Sequence, residues 1–257
     1  MGELVSYDSD FMREWVAQRI DNRIARTPLK RSFSIKDNAF IDRDMFISWF
    51  FSNEARIQTW FPDVTAFRAP SADVHCADAG ARSFFDQFEH IDVGSLHVSG
   101  VPEISDTVIH TTPDTLKLND VVLYDVQKIT NSKIDCCSLK IIADTLPIFD
   151  RVSFPCSYGK IIINLPDLEA IKQHTVLYRF LKKVFELLKT NTYRNSEYFT
   201  KKRLPKSIDP LSLFLNSEIM ADNITISILG TVYFEFILRP WTKATESDWW
   251  LYAFEEA

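Results

Sequence analysis

Residues 224–238 read ITISILGTVYFEFIL, and this stretch decides how the rest of the chain is interpreted. Every even position except Gly230 carries an apolar side chain, whereas the odd positions are mostly polar. Alternation with a period of two is typical of a β-strand with one buried face. Because fifteen residues are long for one strand, we predict a bend or bulge at Gly230, with the same face buried on both sides.

Shorter strand-like segments precede this stretch. They are rich in Val, Ile, Thr and Tyr and are interrupted by Pro, Asn and Asp, which is the composition of strands separated by turns. These segments cover residues 94–101, 106–112, 118–129, 134–143, 149–156 and 159–164. Short strands that follow one another without intervening helices favour antiparallel pairing.

Helical periodicity marks residues 9–26, 42–60 and 81–90, and most clearly residues 166–189. The last of these begins with Pro166 and Asp167, which suit a first helical turn. Its predicted buried stripe consists of Leu168, Ile171, Leu177, Leu181, Val184 and Leu188. The sequence therefore predicts an α+β fold: a helical N-terminal portion (1–90) packed on a mostly antiparallel, β-rich portion (91–257). The long amphipathic helix would precede the last strand or strands, within one continuous core.

Composition argues against several common mechanisms. Only 6 of the 257 residues are glycine, and no glycine-rich phosphate-binding motif is present. None of the four cysteines forms a C-x-x-C pair, and the acidic and histidine residues between Asp73 and His97 follow no familiar ligand spacing. Asp125 and Lys128 lie three apart on a strand-like segment, which places them on opposite faces and weakens a nuclease interpretation with Asp114. We predict no metal and no cofactor.

Charge is distributed unevenly. Residues 172–206 contain ten Lys/Arg and two Asp/Glu, a net charge of +8, whereas the whole chain carries −6. Clustered cations attract polyanions, and interleaved aromatics such as Tyr178 suit base stacking. A solvated helix face is the alternative interpretation. The candidate binding residues are Lys172, Arg179, Lys182, Lys183, Lys189, Lys201, Lys202, Arg203 and Lys206.

These patterns favour a non-enzymatic structural, assembly or interaction protein. Its basic segment would contact nucleic acid, an anionic membrane or an acidic protein surface, the last including another copy of the chain in a homo-oligomer. Viral matrix, capsid-associated and movement proteins combine the same properties, which is an analogy of function. Two alternatives remain: an adaptor that binds through exposed Trp249 and Trp250, and a hydrolase or nuclease with a dispersed active site. No small-molecule substrate is predicted.

The sequence also predicts an intracellular protein that is neither secreted nor membrane-spanning. The first twenty residues carry several charges, unlike a secretory signal. The longest apolar run without strong charge, residues 224–234, is too short to span a bilayer as a helix.

Overall fold

The computed structural model describes residues 20–21, 31–34, 64–69, 72–75, 85, 88–111, 120–156, 159–189, 202–240 and 247–255. Strands dominate this part of the chain, where the helical elements are one α-helix, α1 (Thr175–Lys189), and two short 3-10 helices, Leu168–Ile171 and Pro210–Leu213. The strands form three sheets, which we name A, B and C.

Sheet A contains eight strands, which in spatial order are β1 (Ile20–Asp21), β2 (Arg31–Ser34), β3 (Val64–Ala69), β5 (His90–Val93), β8 (Val108–Thr111), β11 (Lys133–Asp135), β14 (Ser153–Phe154) and β17 (Glu218–Ile219). Sheet C contains β13 (Ile148–Asp150), β10 (Lys128–Thr130) and β7 (Glu103–Ser105).

Sheet B contains nine strands, which in spatial order are β16 (Lys202–Arg203), β20 (Ser247–Glu255), β19 (Val232–Pro240), β18 (Asn223–Ile228), β15 (Lys160–Leu165), β12 (Ser138–Ile142), β9 (Asp120–Tyr124), β6 (Leu96–Ser99) and β4 (Ala72–His75). Pairing is parallel from β4 to β18 and antiparallel among β18, β19, β20 and β16.

From β5 to β15, consecutive strands visit the three sheets in turn, and each pairs in parallel with a strand one turn away. The run β5, β6, β7 visits sheets A, B and C, and β8, β9, β10 then repeat the circuit one layer further along. The remaining strands of each circuit supply the long connection that a parallel pair needs. This winding is a β-solenoid, in which each turn contacts mainly its neighbours.

Stacked apolar side chains fill the interior. One column in sheet B passes through seven neighbouring strands, and each member is at most 2% exposed: Leu96, Val121, Leu139, Ile161, Ile224, Phe236 and Leu251. Sheet A contributes Phe67, Ile91, Ile109 and Ile134, and sheet C contributes Ile104, Ile129 and Phe149. Each fully buried side chain of this size contributes about 1.5–3 kcal/mol, so these columns carry much of the stability.

The corner between sheets C and A repeats in structure and in sequence. Asp106, Asn131, Arg151 and Asn216 all have φ between 46° and 56°, and each lies two residues before a strand of sheet A. Asn and Asp tolerate this left-handed conformation better than most residues. The following residue supplies a hydroxyl in two turns: Ser132 Oγ accepts the Thr107 N–H at 3.3 Å, and Ser217 Oγ accepts the Val152 N–H at 3.1 Å.

An insertion interrupts the fourth turn. After β15 of sheet B, the chain enters the Leu168–Ile171 3-10 helix and α1 before it reaches β17 of sheet A. Asp167 caps the 3-10 helix, because its side chain accepts the Glu169 and Ala170 N–H groups. Helix α1 contacts β20, and Leu177 and Leu181 enter the same buried cluster as the solenoid interior. The insertion therefore shares the solenoid core.

The predicted long strand at 224–238 is instead a hairpin of β18 and β19. Leu229 and Gly230 both have positive φ (52° and 68°), and the Thr231 N–H donates to the Ile228 carbonyl at 3.0 Å. Such φ values belong to the primed turns of hairpins. Ile228 pairs with Val232, so an odd number of loop residues keeps every even position on the same face. The alternation of apolar and polar residues therefore does not distinguish this hairpin from one straight strand.

The predicted fold class is wrong. The strands of residues 88–156 pair in parallel rather than antiparallel, and the region before residue 90 contributes strands to sheets A and B. Within the predicted helix 9–26, residues 20–21 form β1; the predicted helix 42–60 lies outside the described residues. The error arose because sequence neighbours were assumed to be pairing partners. Helix α1 occupies the second part of the predicted helix 166–189. The division at residue 90 stays a prediction.

Candidate functional site

The solvent-facing side of α1 gathers most of the described candidate cations. Leu177 and Leu181 anchor one side of the helix in the core, which turns the opposite side outward. The exposed basic residues on this helix or shortly before it are Lys172, Arg179, Lys182, Lys183 and Lys189. Because residues three and four apart share a helix face, the spacing of Arg179, Lys182 and Lys183 concentrates positive charge there.

Glu169 partly neutralises two of these cations. Its carboxylate lies 3.1 Å from Nζ of Lys172 and 3.6 Å from Nζ of Lys182. The Tyr178 hydroxyl donates to Glu169 and accepts from Lys182 Nζ at 3.0 Å. The hydrogen bonds from Tyr178 and Lys172 hold the pKa of the Glu169 carboxyl below its ordinary value, and the contacts with Tyr178 and Glu169 raise the pKa of Lys182. Lys172 and Lys182 are therefore held by contacts with Glu169 and Tyr178 around the start of α1.

Arg179 and Lys183 differ from that pair. No acidic side chain in the described part of the chain forms an ion pair with either, and Glu186 is the acid nearest to them in sequence on α1. At the end of the helix, Nζ of Lys189 lies 4.2 Å from the centre of the Phe185 ring, a cation–π contact. Arg179 and Lys183 are thus the cations most available to an outside anion.

The other predicted binding residues lie apart from α1 or outside the described residues. Lys202 and Arg203 form β16, which pairs with β20 at the edge of sheet B. Lys206 follows shortly after and is exposed, while Lys201 lies outside the described residues. The structure therefore gathers Arg179, Lys182, Lys183 and Lys189 on α1, with Lys172 shortly before it, and places Lys202 and Arg203 on a separate strand.

The aromatic residues that suggested stacking or docking have other positions. Tyr178 is 9% exposed and its hydroxyl binds Glu169, so its ring cannot stack on a base. Trp249 packs against the core cluster, and Trp250, its neighbour in β20, is half-buried on the opposite face of the strand.

A group that the sequence reasoning missed lies on the outer face of sheet A. Nδ1 of His110 lies 2.9 Å from Oδ1 of Asp92, and Nε of Arg68 lies 3.4 Å from Oδ2 of the same carboxylate. Asp135 is the register partner of His110 in the next turn. A carboxylate that holds one ring nitrogen orients the other for proton transfer or binding. The signal was the repeat of IDVGSL at 91–96 as IDCCSL at 134–139, which places Asp92 and Asp135 in one outward column.

The structure separates the residues considered for metal binding. His90 and Asp92 face outward from sheet A, whereas His97 belongs to sheet B. The described residues contain no group of three or more His, Cys, Asp or Glu side chains that could hold a metal ion. Asp125 occupies an exposed corner with φ 55°, and Lys128 forms a 2.7 Å ion pair with Glu103 on sheet C. Asp114 lies outside the described residues.

Three cysteines lie at neighbouring corners between sheets A and B. Cys136 is buried, Cys156 is half-buried and Cys137 is exposed. Burial raises the pKa of the Cys136 thiol far above its ordinary value, so this sulfur remains protonated and unreactive.

Comparison of the chain with family models, with curated proteins and with solved structures finds no match. Among the described helices, none has the length and apolar character needed to cross a membrane.

Proposed function

We propose that this protein is a non-enzymatic binding or assembly protein whose basic segment contacts a polyanion. The observation that carries the proposal is the outward face of α1, where Arg179 and Lys183 are exposed without an acidic partner among the described residues. The solenoid core holds the helix through Leu177 and Leu181, so the cations are presented on a fixed support. A fixed array of cations loses less conformational freedom on binding than a flexible tail.

The charge distribution supports the same function. The chain is acidic overall, at −6, yet residues 172–206 carry +8. A local positive potential on an acidic protein attracts anions to one surface and repels them elsewhere. Contact between the basic segment and an acidic part of another copy is the self-association route that this distribution offers.

Fluorescence anisotropy with a labelled single-stranded RNA, used as a generic polyanion, tests the proposal. If about four phosphates are neutralised, affinity should fall about 50-fold between about 50 mM and about 200 mM salt. Binding that does not change with salt contradicts a polyanion surface, and no binding at the lower salt concentration excludes nucleic acid as the polyanion. In the second case, size-exclusion chromatography at low salt would show whether the basic segment instead engages another copy of the chain.

We also infer an intracellular setting, which the exposed thiol of Cys137 supports. Exposed thiols are oxidised in secretory compartments and persist in reducing ones. Fractionation of the source cells, with the free thiols labelled at lysis, tests this: the chain should be recovered in the intracellular fraction with Cys137 reduced. Recovery in the medium, or with Cys137 oxidised, contradicts it.

The contact between Asp92 and His110 favours a second candidate, a hydrolase with an exposed proton-transfer pair. In that case, wild-type protein should hydrolyse a chromogenic ester or phosphodiester, and Asp92→Asn should lower the rate about 100-fold or more, since the ring would lose its orienting anion. Equal rates for wild type, Asp92→Asn and His110→Ala would remove this candidate.

A further inference from the structure

Beside its cations, α1 carries a second apolar stripe on its solvent side. The core-facing stripe contains Leu177 and Leu181, both buried. On the outer flank, Val176 is 59% exposed, Leu187 is 43% exposed and Phe180 is half-buried. At about 100° per residue, these three side chains fall within roughly 40° of one another and extend about 16 Å along the helix. Val176 and Leu187, with the partly buried Phe180 between them along the helix, therefore form a ridge that is accessible to solvent mainly through its two aliphatic side chains.

The two unpaired cations border this ridge. Relative to Val176, the helical rotation places Lys183 at roughly −20° and Arg179 at roughly −60°, on the side away from Phe180. The surface thus combines aliphatic side chains with adjacent long cationic side chains. A ligand that binds both the aliphatic and the cationic side chains must present anionic groups directly beside an apolar layer.

From this juxtaposition we propose that the exposed ridge of α1 (Val176, Arg179, Phe180, Lys183 and Leu187) docks onto the surface of an anionic lipid bilayer. This inference rests on the proposed polyanion-binding function and names its partner. Val176 and Leu187 would enter the boundary between headgroups and acyl chains, while Arg179 and Lys183 would contact the lipid phosphates and carboxylates. The exposed cations of α1 would face the bilayer.

The chemistry of the ridge distinguishes a bilayer from other polyanions. Nucleic acids bind cations and aromatic rings that stack on bases, whereas aliphatic side chains contribute little to binding a phosphate backbone. Protein interfaces are depleted in lysine, and three of the four exposed cations of α1 are lysines. A bilayer also accepts a convex helix surface without a matching groove, because lipids rearrange around the inserted side chains.

Vesicle co-sedimentation with the full-length protein tests the proposal. The probes are phosphatidylcholine vesicles and vesicles that contain about one third phosphatidylserine, with the labelled RNA measured in parallel. We expect the wild type to bind the anionic vesicles and not the neutral ones. Val176→Gln/Leu187→Gln should weaken vesicle binding about tenfold and change RNA binding by less than about twofold, because it removes apolar contacts and leaves the cations.

Controls make each outcome decisive. Glutamine preserves helix propensity, and Ile148→Gln, at a 58% exposed position on sheet C, is the matched control that should bind vesicles like the wild type. RNA binding without vesicle binding, or vesicle binding unaffected by Val176→Gln/Leu187→Gln, overturns the membrane proposal and leaves the polyanion function standing. Binding to poly-glutamate but not to vesicles, weakened by the same double variant, overturns it in favour of an acidic protein partner. Failure to bind either RNA or vesicles overturns the proposed function itself.

Discussion

The solenoid body (88–156) and the insertion that carries α1 differ in whether their outward charged side chains have partners. On the body, two outward side-chain contacts join neighbouring turns: Lys128 with Glu103 at 2.7 Å, and His110 with Asp92 at 2.9 Å. On α1, Arg179 and Lys183 point outward with no acidic partner among the described residues. Part of the charge on the body is thus paired across turns, while these two cations of α1 are left exposed.

The cause of this difference is geometric. In a parallel sheet, register places each outward side chain about 4.8 Å from its counterpart in the next turn, so opposite charges in one column meet. A single helix on the surface has no adjacent turn to supply such partners. The comparison teaches that a solenoid provides a stable support, and that an insertion between its turns is where an unpaired surface can develop.

A substitution in the interior columns should cause the largest loss of stability. Replacing Ile163 with alanine removes a fully buried side chain from a column that continues through Ile226 and Phe234, and should cost about 2–5 kcal/mol in free energy of unfolding. Urea denaturation followed by circular dichroism measures the loss. The matched control Ile148→Ala, at an exposed position, should cost less than about 0.5 kcal/mol. Equal costs at the two sites would contradict a column-based core.

A substitution at Gly159, where two parts of one corner approach closely, should cause the next largest loss of stability. A Cβ at Gly159 would lie 2.6 Å from Cε1 of Phe154, whose ring is fully buried, and 2.9 Å from the Cys156 carbonyl oxygen. Gly159→Ala should therefore destabilise the fold by about 1–3 kcal/mol through overpacking. At Gly230, a Cβ meets no atom within 4 Å, so Gly230→Ala costs only the strain of its positive φ, about 1 kcal/mol. A thermal melt that ranks Gly230→Ala as the more damaging change would refute this account of the corner.

The repeated left-handed corner predicts a stabilising substitution. Arg151 adopts φ 56° at a position where the other turns carry Asp106, Asn131 and Asn216. Arg151→Asn should raise the free energy of unfolding by about 0.5–1 kcal/mol, because asparagine tolerates this conformation better. The exposed ion pair with Asp150, at 3.3 Å, contributes little that would be lost. In the reverse direction, Asn131→Arg should destabilise, and denaturant midpoints that show no difference between the two changes would contradict the corner argument.

Acid should weaken the docking of α1 by a smaller amount. Burial lowers the pKa of His174, whose carbonyl accepts the Tyr178 N–H at the helix start. The unfolded chain then binds a proton more readily than the folded one. The stability that neutral His174 contributes is therefore complete above the unfolded pKa of about 6.5 and is lost as the pH falls toward the lower folded pKa. Thermal melts between pH 7.5 and pH 5.5 should show a steeper loss for the wild type than for His174→Gln. Parallel loss in both proteins would place the pH dependence elsewhere.

Part of the fold could be predicted from local pattern. The strand segments and α1 follow from periodicity, since burial of one face imposes a period of two or 3.6 on the residues themselves. Parallel winding was missed because the connections between stacked strands vary: Ile104 and Ile129 are 25 residues apart, whereas Ile129 and Phe149 are 20 apart. The corner nevertheless repeats as ISDTVI, ITNSKI, FDRVSF and FLNSEI at 104, 129, 149 and 214, and this motif was visible in the sequence.

The candidate site was predictable in composition but not in arrangement. Counting charges identifies the basic segment, whereas only the packing of Leu177 and Leu181 shows which cations face outward. Similarly, the contact of Lys172 and Lys182 with Glu169 depends on the chain turning between the 3-10 helix and α1, which sequence spacing does not reveal. The Asp92–His110 contact joins residues 18 apart, and only the parallel register brings them together.

The most direct test of the central claim compares charge reversal on the two regions. Arg179→Glu/Lys183→Glu alters the surface of α1, and Lys133→Glu/Lys140→Glu makes the same change in net charge on the solenoid body. The measurement is the affinity for labelled RNA at low salt, with circular dichroism to confirm that both variants fold. We predict that reversal on α1 weakens binding about tenfold or more, while reversal on the body changes it less than about twofold. Equal losses would show that binding reports the net charge of the chain, and would contradict a binding surface on α1.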